Sequence, residues 1–487
     1  MIAAPFGNVV CSFTVVAPFG NVKMMVPEEL RRKLQHYRQE HVLAWWDRLE
    51  DTERRQLMDQ LLSIDLERLA QLYAERDRIF SVPDPSQIKP PPVVPADAPD
   101  NAAMRMAGEE ALRRGEVAAL VVAGGQGSRL GFEHPKGMYP IGPISRKSLF
   151  QIHAEKVLAL GRRYGKQLPF LIMTSPATDA ETRSFFAERA YFGLPKEEVF
   201  FFCQGTMPAL DLATGKLLLE APGRLFLSPD GHGGVLTALR KSGLLEQLRR
   251  RGIRHLFYFQ VDNPLVKVAD PVFLGRHLSQ RSEASSKIVP KQGPKDRLGN
   301  LVVVEGRCTI IEYSDLPDSL ANERDANGQL RLWAGNPAIH IFDLDFLARV
   351  TEGAGLLPFH IARKKVPYLD DKGQVVRPQK ENALKFERFI FDVLPLAERW
   401  LVMETSRREE FAPLKNAEGE DSPQTVQGAL TNLAADWLTR AGIEAPRTAN
   451  GEPAVALEIS PLFALDADEF AARVDRSLRI TTAMYFE

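Results

Sequence analysis

Between positions 30 and 72 the apolar residues recur in steps of three and four, with charges between them. Leu30, Leu34, Tyr37, Val42, Trp45, Trp46 and Leu49 make one such series, and Leu57, Leu61, Leu62, Ile64, Leu66 and Leu69 a second. Steps of that size stack side chains on one face of a helix, so the pattern predicts two or three amphipathic helices across 27–78. They read as a cap packed on a catalytic domain, with a protein-binding helical module as the lesser reading. Seven prolines follow in 81–100, three of them consecutive at Pro90, Pro91 and Pro92, which predicts an extended connector.

Past position 100 the period changes. A helical stretch at 101–115 leads into short apolar runs at 119–123 (ALVVA), 170–174 (FLIMT), 199–203 (VFFFC) and 255–261 (HLFYFQV), which have the length and branching of buried strands. Helical periodicity lies between them at 148–164, 179–189 and 235–245. Strands alternating with helices predict an α/β fold, a largely parallel central sheet covered on both faces. Further on, 288–292, 299–305 and 309–314 read as strands of antiparallel character. The stretch 334–342 reads as another strand, and 380–391 shows a helical apolar face.

The chain has 487 residues, 44% hydrophobic and 26% charged, with a formal net charge of −1. That length accommodates two or three domains, and the charge balance supplies no field for nucleic acid or an anionic membrane. Cys11, Cys203 and Cys308 are widely spaced and odd in number, which argues against a disulfide framework or a zinc site and suits a reducing cytoplasm. No apolar run free of Pro, Gly or charge reaches the ~18–20 residues of a spanning helix. The segment APFGNV at 4–9 recurs at 17–22. Residues 1–25 are therefore expected to be a disordered extension, or to precede a true start at Met24 or Met25.

The candidate chemistry centres on 119–137 (ALVVAGGQGSRLGFEHPKG). Glycines directly after a strand let backbone N–H groups cradle phosphate oxygens that a Cβ would hold away. Arg129 adds a planar fork and Lys136 a point charge, so the loop reads as a triphosphate clamp. It lacks the Gly-Lys-Ser/Thr ending of one familiar phosphate loop, and misses the spacing of the dinucleotide fingerprint by one residue. Ligands in such sheets sit beyond the carboxyl ends of the strands. There Gln204 offers an amide to a base edge, and 227–234 (LSPDGHGG) opens a helix. Asp262 is placed to hold Mg²⁺ together with phosphate oxygens. The Glu312 carboxylate suits a sugar hydroxyl, Asn336 is a polar amide on a strand, and Lys385 and Lys415 are candidates for a phosphate funnel.

These stretches, with PKGM, FFCQG, VDNPLVKVADP, EYSDLP, AGN, KKVPYLD, FERFIFD, EFAPLKN and EISPL, make the chain from about 30 to 463 closely resemble the UDP-N-acetylhexosamine pyrophosphorylases. The resemblance implies a Rossmann-like nucleotidyltransferase domain at 101–400, a helical N-terminal part at 26–100 and a small α+β C-terminal domain at 401–487. It implies transfer of a uridylyl group from UTP to an N-acetylhexosamine 1-phosphate, giving a UDP-sugar and pyrophosphate with Mg²⁺ (or Mn²⁺), in a monomer or dimer. By the same resemblance Ala123, Gly124, Gly125 and Gly127 hold UTP, with Arg129, Lys136 and Lys415 in the reaction. Gln204, Gly231, His232 and Asn263 face the uridine and ribose, Asp262 the metal, and Gly299, Glu312, Asn336, Lys385 and Phe389 the sugar phosphate. His232 stands where many members carry asparagine, and the residues after Asn336 and before Lys385 also depart from the pattern. Sister enzymes that use glucose 1-phosphate or several sugars remain the alternative, and a non-catalytic UTP-binding regulator the non-enzymatic one.

Overall fold

The computed structural model describes residues 24–77, 83–352 and 357–487, so the repeat at 4–22 and Cys11 lie outside it. The chain forms two compact units. The larger comprises 77–207, 228–362 and 386–487, and the smaller comprises the stretch up to 76 with 208–227 and 363–385.

The smaller unit contains helices α1 (Glu28–His36), α2 (Asp51–Ser63) and α3 (Leu66–Ala74), which bury Leu30, Leu34, Leu57, Leu61, Leu66, Leu69 and Leu72 as their periodicity demands. They do not pack alone. The Gln39 amide donates to Gly215 O at 3.1 Å and accepts from Leu217 N at 2.8 Å, while Gln60 Oε1 accepts from Leu225 N at 3.0 Å. The compact units therefore depart from the expected 26–100 boundary: two distant loops complete the helices, and 77–100 joins the larger unit. In that unit Ile88–Lys89 pairs antiparallel with 303–304, so the proline-rich connector is anchored. The stretch 380–391 corrects its helical reading. Ala383–Glu387 is a strand whose Ala383 and Leu384 pair with Asp211 and Leu210, because a neighbouring strand edge outweighs a weak helical period.

In the larger unit α4 (Asn101–Arg114) ends at Gly115 in a left-handed conformation (φ +70°), and strand β1 (Val117–Val122) follows. Helix α5 (Leu149–Tyr164) starts where Ser148 Oγ accepts from Gln151 N and stops at Gly165. Strands β2 (Phe170–Thr174), β3 (Val199–Cys203) and β4 (His255–Gln260) then build a parallel block in the order β4-β1-β2-β3. Ala119 and Val121 pack with the α5 side of the core, and Ala118 and Leu120 with helices Gly234–Lys241 and Leu244–Arg250 on the other side. Helices on both faces explain why β1 reads as a continuous apolar run.

The sheet continues as β5 (Ala284–Pro290), β6 (Gly299–Val304), β7 (Arg307–Ile311), β8 (Ala334–Asn336), β9 (His340–Asp343) and β10 (Trp400–Glu404). Here β9 lies antiparallel to β4 and β5, and β8 antiparallel to β5 and β6, so the whole is a mixed sheet. The run 334–342 becomes two strands because Asn336 Oδ1 accepts from Ala338 N at 3.0 Å across a turn with Ala338 at φ +58°. Helix α6 (Pro271–Ser279) crosses α4 at backbone distance: a Cβ on Gly275 would lie 1.8 Å from Met104 O, and one on Gly108 2.0 Å from Pro271 O. The C-terminal part has its own α+β core, with helices Pro423–Arg440 and Ala467–Arg473 and the parallel pair Leu457–Ile459 and Met484–Phe486. It is tied to the body by Glu458, whose carboxylate accepts from Ile144 N and Ser145 N at 2.7 Å.

Candidate active site

The glycine loop leaves the carboxyl end of β1 and closes on itself. Lys136 N donates to Gly125 O at 3.0 Å and Gly127 N to His134 O at 2.9 Å, which brings Lys136 back beside the glycines eleven residues earlier in the chain. Ala123 and Gly124 are buried, Gly125 is open, and the exposed Arg129 makes no ion pair among the described residues. Strand β4 pairs with β1 in the register Gln260↔Val122, which carries Asp262 to the level of Gly124. Across that gap Lys136 Nζ lies 3.6 Å from Asp262 Oδ2.

Gly124 also touches the next candidate. A Cβ there would fall 2.3 Å from Gln204 Nε2, and Gln204 is 7% exposed. Gly124→Ala is therefore expected to displace the Gln204 amide and to weaken binding of the nucleotide expected at this loop about tenfold or more, a loss of ~1.4 kcal/mol or more. Titration of both proteins with UTP, the nucleotide the resemblance implies, measures it.

Behind Asp262 a second segment closes in. Leu414 N donates to Asp262 O at 2.8 Å, setting the half-buried Lys415 next to the carboxylate strand end. Asn263, expected at the ribose, is 3% exposed and its amide is committed to protein: Nδ2 donates to Glu410 O at 2.8 Å and Oδ1 accepts from Ala412 N at 3.1 Å. Its side chain holds the two segments together. Among the described residues no cluster of three or more His, Cys, Asp or Glu exists that could hold a metal by itself. The Asp262 carboxylate, at 8% exposure beside Lys136, would hold a Mg²⁺ only together with ligands supplied by phosphate and water. A cavity of about 710 Å³ on the other side of the Pro264–Asp270 loop holds none of the expected substrate residues.

Among the residues expected at the nucleoside, Asp230 N donates to Gly205 O at 3.0 Å, which draws the 229–234 turn to the Gln204 strand end. Gly231 has φ +86°, and a Cβ on it would lie 2.4 Å from Arg388 O, so the turn admits only glycine there. His232 stacks on Phe389, ring centroids 5.2 Å apart and planes 25° from parallel. Its Nδ1 accepts from Ile390 N at 3.2 Å, which leaves Nε2 carrying the proton. Burial, and then the charge of His360, holds the imidazole down to about 4, so it is a neutral donor at pH 7.

The sugar-side candidates meet through the register of β6, β7 and β8. Gly299 is paired with Asn336, and a Cβ on Gly299 would lie 3.2 Å from Glu312 Oε1. Burial raises the Glu312 carboxyl and Asp315 raises it further, against the opposing charges of His360 and Lys415. Beside them His360 Nε2 meets Asp392 Oδ2 at 2.8 Å, with its ring 4.4 Å from that of Phe389. Lys385 is the last residue of the smaller unit. Asp392 and Asp230 were within reach of sequence reading, since they lie in FERFIFD and PDGHGG. Tyr258, whose hydroxyl lies 3.5 Å from His232 Nδ1, had no such signal inside its apolar strand.

Residues 69–483 match the family described as UTP–glucose-1-phosphate uridylyltransferase. The chain is 37% identical over 472 residues to the human UDP-N-acetylhexosamine pyrophosphorylase-like protein 1, covering 90% of this chain and 93% of that protein. It is 42% identical over 345 residues to the Saccharomyces cerevisiae UDP-N-acetylglucosamine pyrophosphorylase, covering 69% and 72%. A solved structure of the uridine diphosphate N-acetylglucosamine pyrophosphorylase from Trypanosoma brucei, with an inhibitor, superposes with a TM-score of 0.79 at 29% identity, covering 93% of this chain and 95% of that one. Family match, relatives and fold agree: the chain belongs to the UDP-N-acetylhexosamine pyrophosphorylase branch of the UTP–glucose-1-phosphate uridylyltransferase family.

Proposed function

We propose that the protein transfers the uridylyl group of UTP to N-acetylglucosamine 1-phosphate or N-acetylgalactosamine 1-phosphate, releasing pyrophosphate. The observation that carries this reading is the 3.6 Å approach of Lys136 to Asp262 at the ends of adjacent parallel strands, next to a closed glycine loop. The sugar phosphate oxygen attacks the α-phosphorus of UTP in line, and pyrophosphate leaves from the opposite side. No covalent intermediate is needed, so the work falls to orientation and to neutralising charge.

In this reading the N–H groups of Gly124, Gly125 and Gly127 cradle the triphosphate, and Arg129 and Lys136 neutralise the departing pyrophosphate. Lys415 stabilises the charge that gathers on the α-phosphoryl group, and Lys385 is assigned to the phosphates from the resemblance. Gln204, Gly231 and His232 receive the uridine part. Gly299, Glu312, Asn336 and Phe389 form the sugar wall, with Glu312 accepting from a sugar hydroxyl. Asp262 would hold Mg²⁺ (or Mn²⁺), which when bound supplies positive charge shared by the phosphate oxygens. We place the protein in the cytoplasm, as a monomer or dimer. Among the described residues no helix is long and apolar enough to cross a membrane.

The test is a product assay with UTP, Mg²⁺ and either an acetamido sugar 1-phosphate or glucose 1-phosphate, reading UDP-sugar and pyrophosphate. Turnover preferring an acetamido sugar is the expected result. A preference for glucose 1-phosphate moves the protein to the sister activity, and UTP binding without turnover on any sugar overturns the enzymatic reading.

A further inference from the structure

Two of the sequence strings that build the phosphate end of the site converge on a side chain that belongs to neither. Lys287, on β5, is 1% exposed and donates to Asp270 Oδ2 and to both carboxylate oxygens of Glu410, each at 2.7 Å. Asp270 is the last but one residue of the 261–271 string and Glu410 opens the 410–416 string. Burial opposes the Lys287 charge, but Asp270 and Glu410 together overcome it and raise the ammonium above its ordinary value.

Glu410 is 0% exposed, so it cannot meet a substrate. Among the described residues its carboxylate is held by Lys287, by Thr405 and by the 261–271 segment. Its carboxylate also accepts from Thr405 Oγ1 at 2.6 Å and Lys267 N at 3.2 Å, and its carbonyl accepts from Asn263 Nδ2 at 2.8 Å. Four residues further along, Leu414 N donates to Asp262 O at 2.8 Å and Lys415 follows. From the opposite side α5 grips the same loop: His153 Nε2 donates to Val261 O at 3.0 Å, and Lys156 Nζ donates to Val266 O at 2.8 Å and to Pro264 O. A buried ammonium with two carboxylates is a poor source of stability compared with apolar packing of equal volume. What it supplies is a fixed distance, since shifting either segment leaves a charge unpaired in the interior.

We infer that Glu410, clamped by Lys287, is the positioning residue that sets the separation between Asp262 and Lys415. The inference rests on the proposed uridylyl transfer, because it gives that separation a purpose. An error of the order of 1 Å in such a separation costs about a hundredfold in rate.

The test uses the full chain with three substitutions. Glu410→Asp keeps the charge on Lys287 but shortens the side chain by one methylene, and Glu410→Gln keeps the length but removes the charge. Glu155→Gln is the control, because Glu155 is a buried carboxylate (4% exposed) paired with Lys147 at 2.8 Å and makes no bond to either site segment. Both Glu410 variants are expected to lose about 10–100-fold in kcat with KM for UTP within about threefold, and amide exchange across 411–416 is expected to quicken. Glu155→Gln is expected to lower the melting temperature with kcat and that exchange unchanged. The inference is overturned if Glu410→Asp retains wild-type kcat and exchange, including the case where Glu410→Gln fails to fold. If the unmodified protein transfers no uridylyl group, the functional reading fails, while the exchange comparison still decides whether Glu410 fixes the 411–416 segment.

Discussion

Asp262→Asn is expected to lower kcat by about 10²–10³-fold while leaving the protein folded. The side chain keeps its size and its amide still reaches toward Lys136, but the carboxylate charge beside Lys136 is gone. Lys136→Met is expected to lose a comparable factor by the complementary route, removing the ammonium that the proposed reaction uses to neutralise the departing pyrophosphate. The two groups lie 3.6 Å apart, so the effects should not add. In the double variant the loss should fall short of the product of the two single losses, which kinetics of all four proteins at several Mg²⁺ concentrations would read. Asp262→Asn should also raise the Mg²⁺ concentration for half-maximal rate. Wild-type kcat in either single variant would remove that residue from the site.

The second large effect is acid lability. His153 and His340 are completely buried; burial pushes both down to about 3, helped by the nearby charge of Lys156 for His153 and of His232 for His340. His232 is held down to about 4, chiefly by burial. All three are neutral in the folded protein at pH values where the unfolded chain already binds protons. Stability is therefore full above about pH 6.5 and falls as pH drops toward 4, at about 1.4 kcal/mol per pH unit for each fully buried histidine. His153 and His340 alone give ~3 kcal/mol per unit near pH 5, a large fraction of a typical ~5–15 kcal/mol. Thermal unfolding between pH 7.5 and 5 should show a steep decline below pH 6.5. His340→Gln should flatten the slope, whatever it does to stability at pH 7.5. A melting temperature independent of pH down to 5 would contradict the neutral, buried state of these rings.

The glycine loop was legible because its chemistry is local. Strand, glycines, Arg129 and Lys136 are consecutive, and the return of Lys136 to Gly125 needs only the chain between them. Gln204 and Asp262 were legible for a related reason: both close apolar runs, and strand ends in an α/β sheet share one edge. The helical reading of 380–391 failed because Lys-Phe-Glu-Arg periodicity is weak, and Leu210–Asp211, far away in sequence, supplied a partner edge. The amide of Asn263 is a different case. Sequence reading put it at the ribose, but burial against Glu410 and Ala412 turned its amide inward as a brace.

What the amino-acid sequence determined by itself was the parallel block, its two-sided core and the identity of the groups at the strand ends, since all of these follow from periodicity and from short-range chemistry. The tertiary structure alone decided which of those groups meet. The approach of Lys136 to Asp262 depends on the β1–β4 register, and the union of Gly299, Glu312 and Asn336 on three antiparallel strands. The burial of Lys287 between two carboxylates depends on segments about 140 residues apart in sequence closing over β5. An isolated lysine in a strand looks like a solvated charge. Only the low-dielectric interior, where an unpaired ammonium cannot remain, turns it into the point that holds the site together.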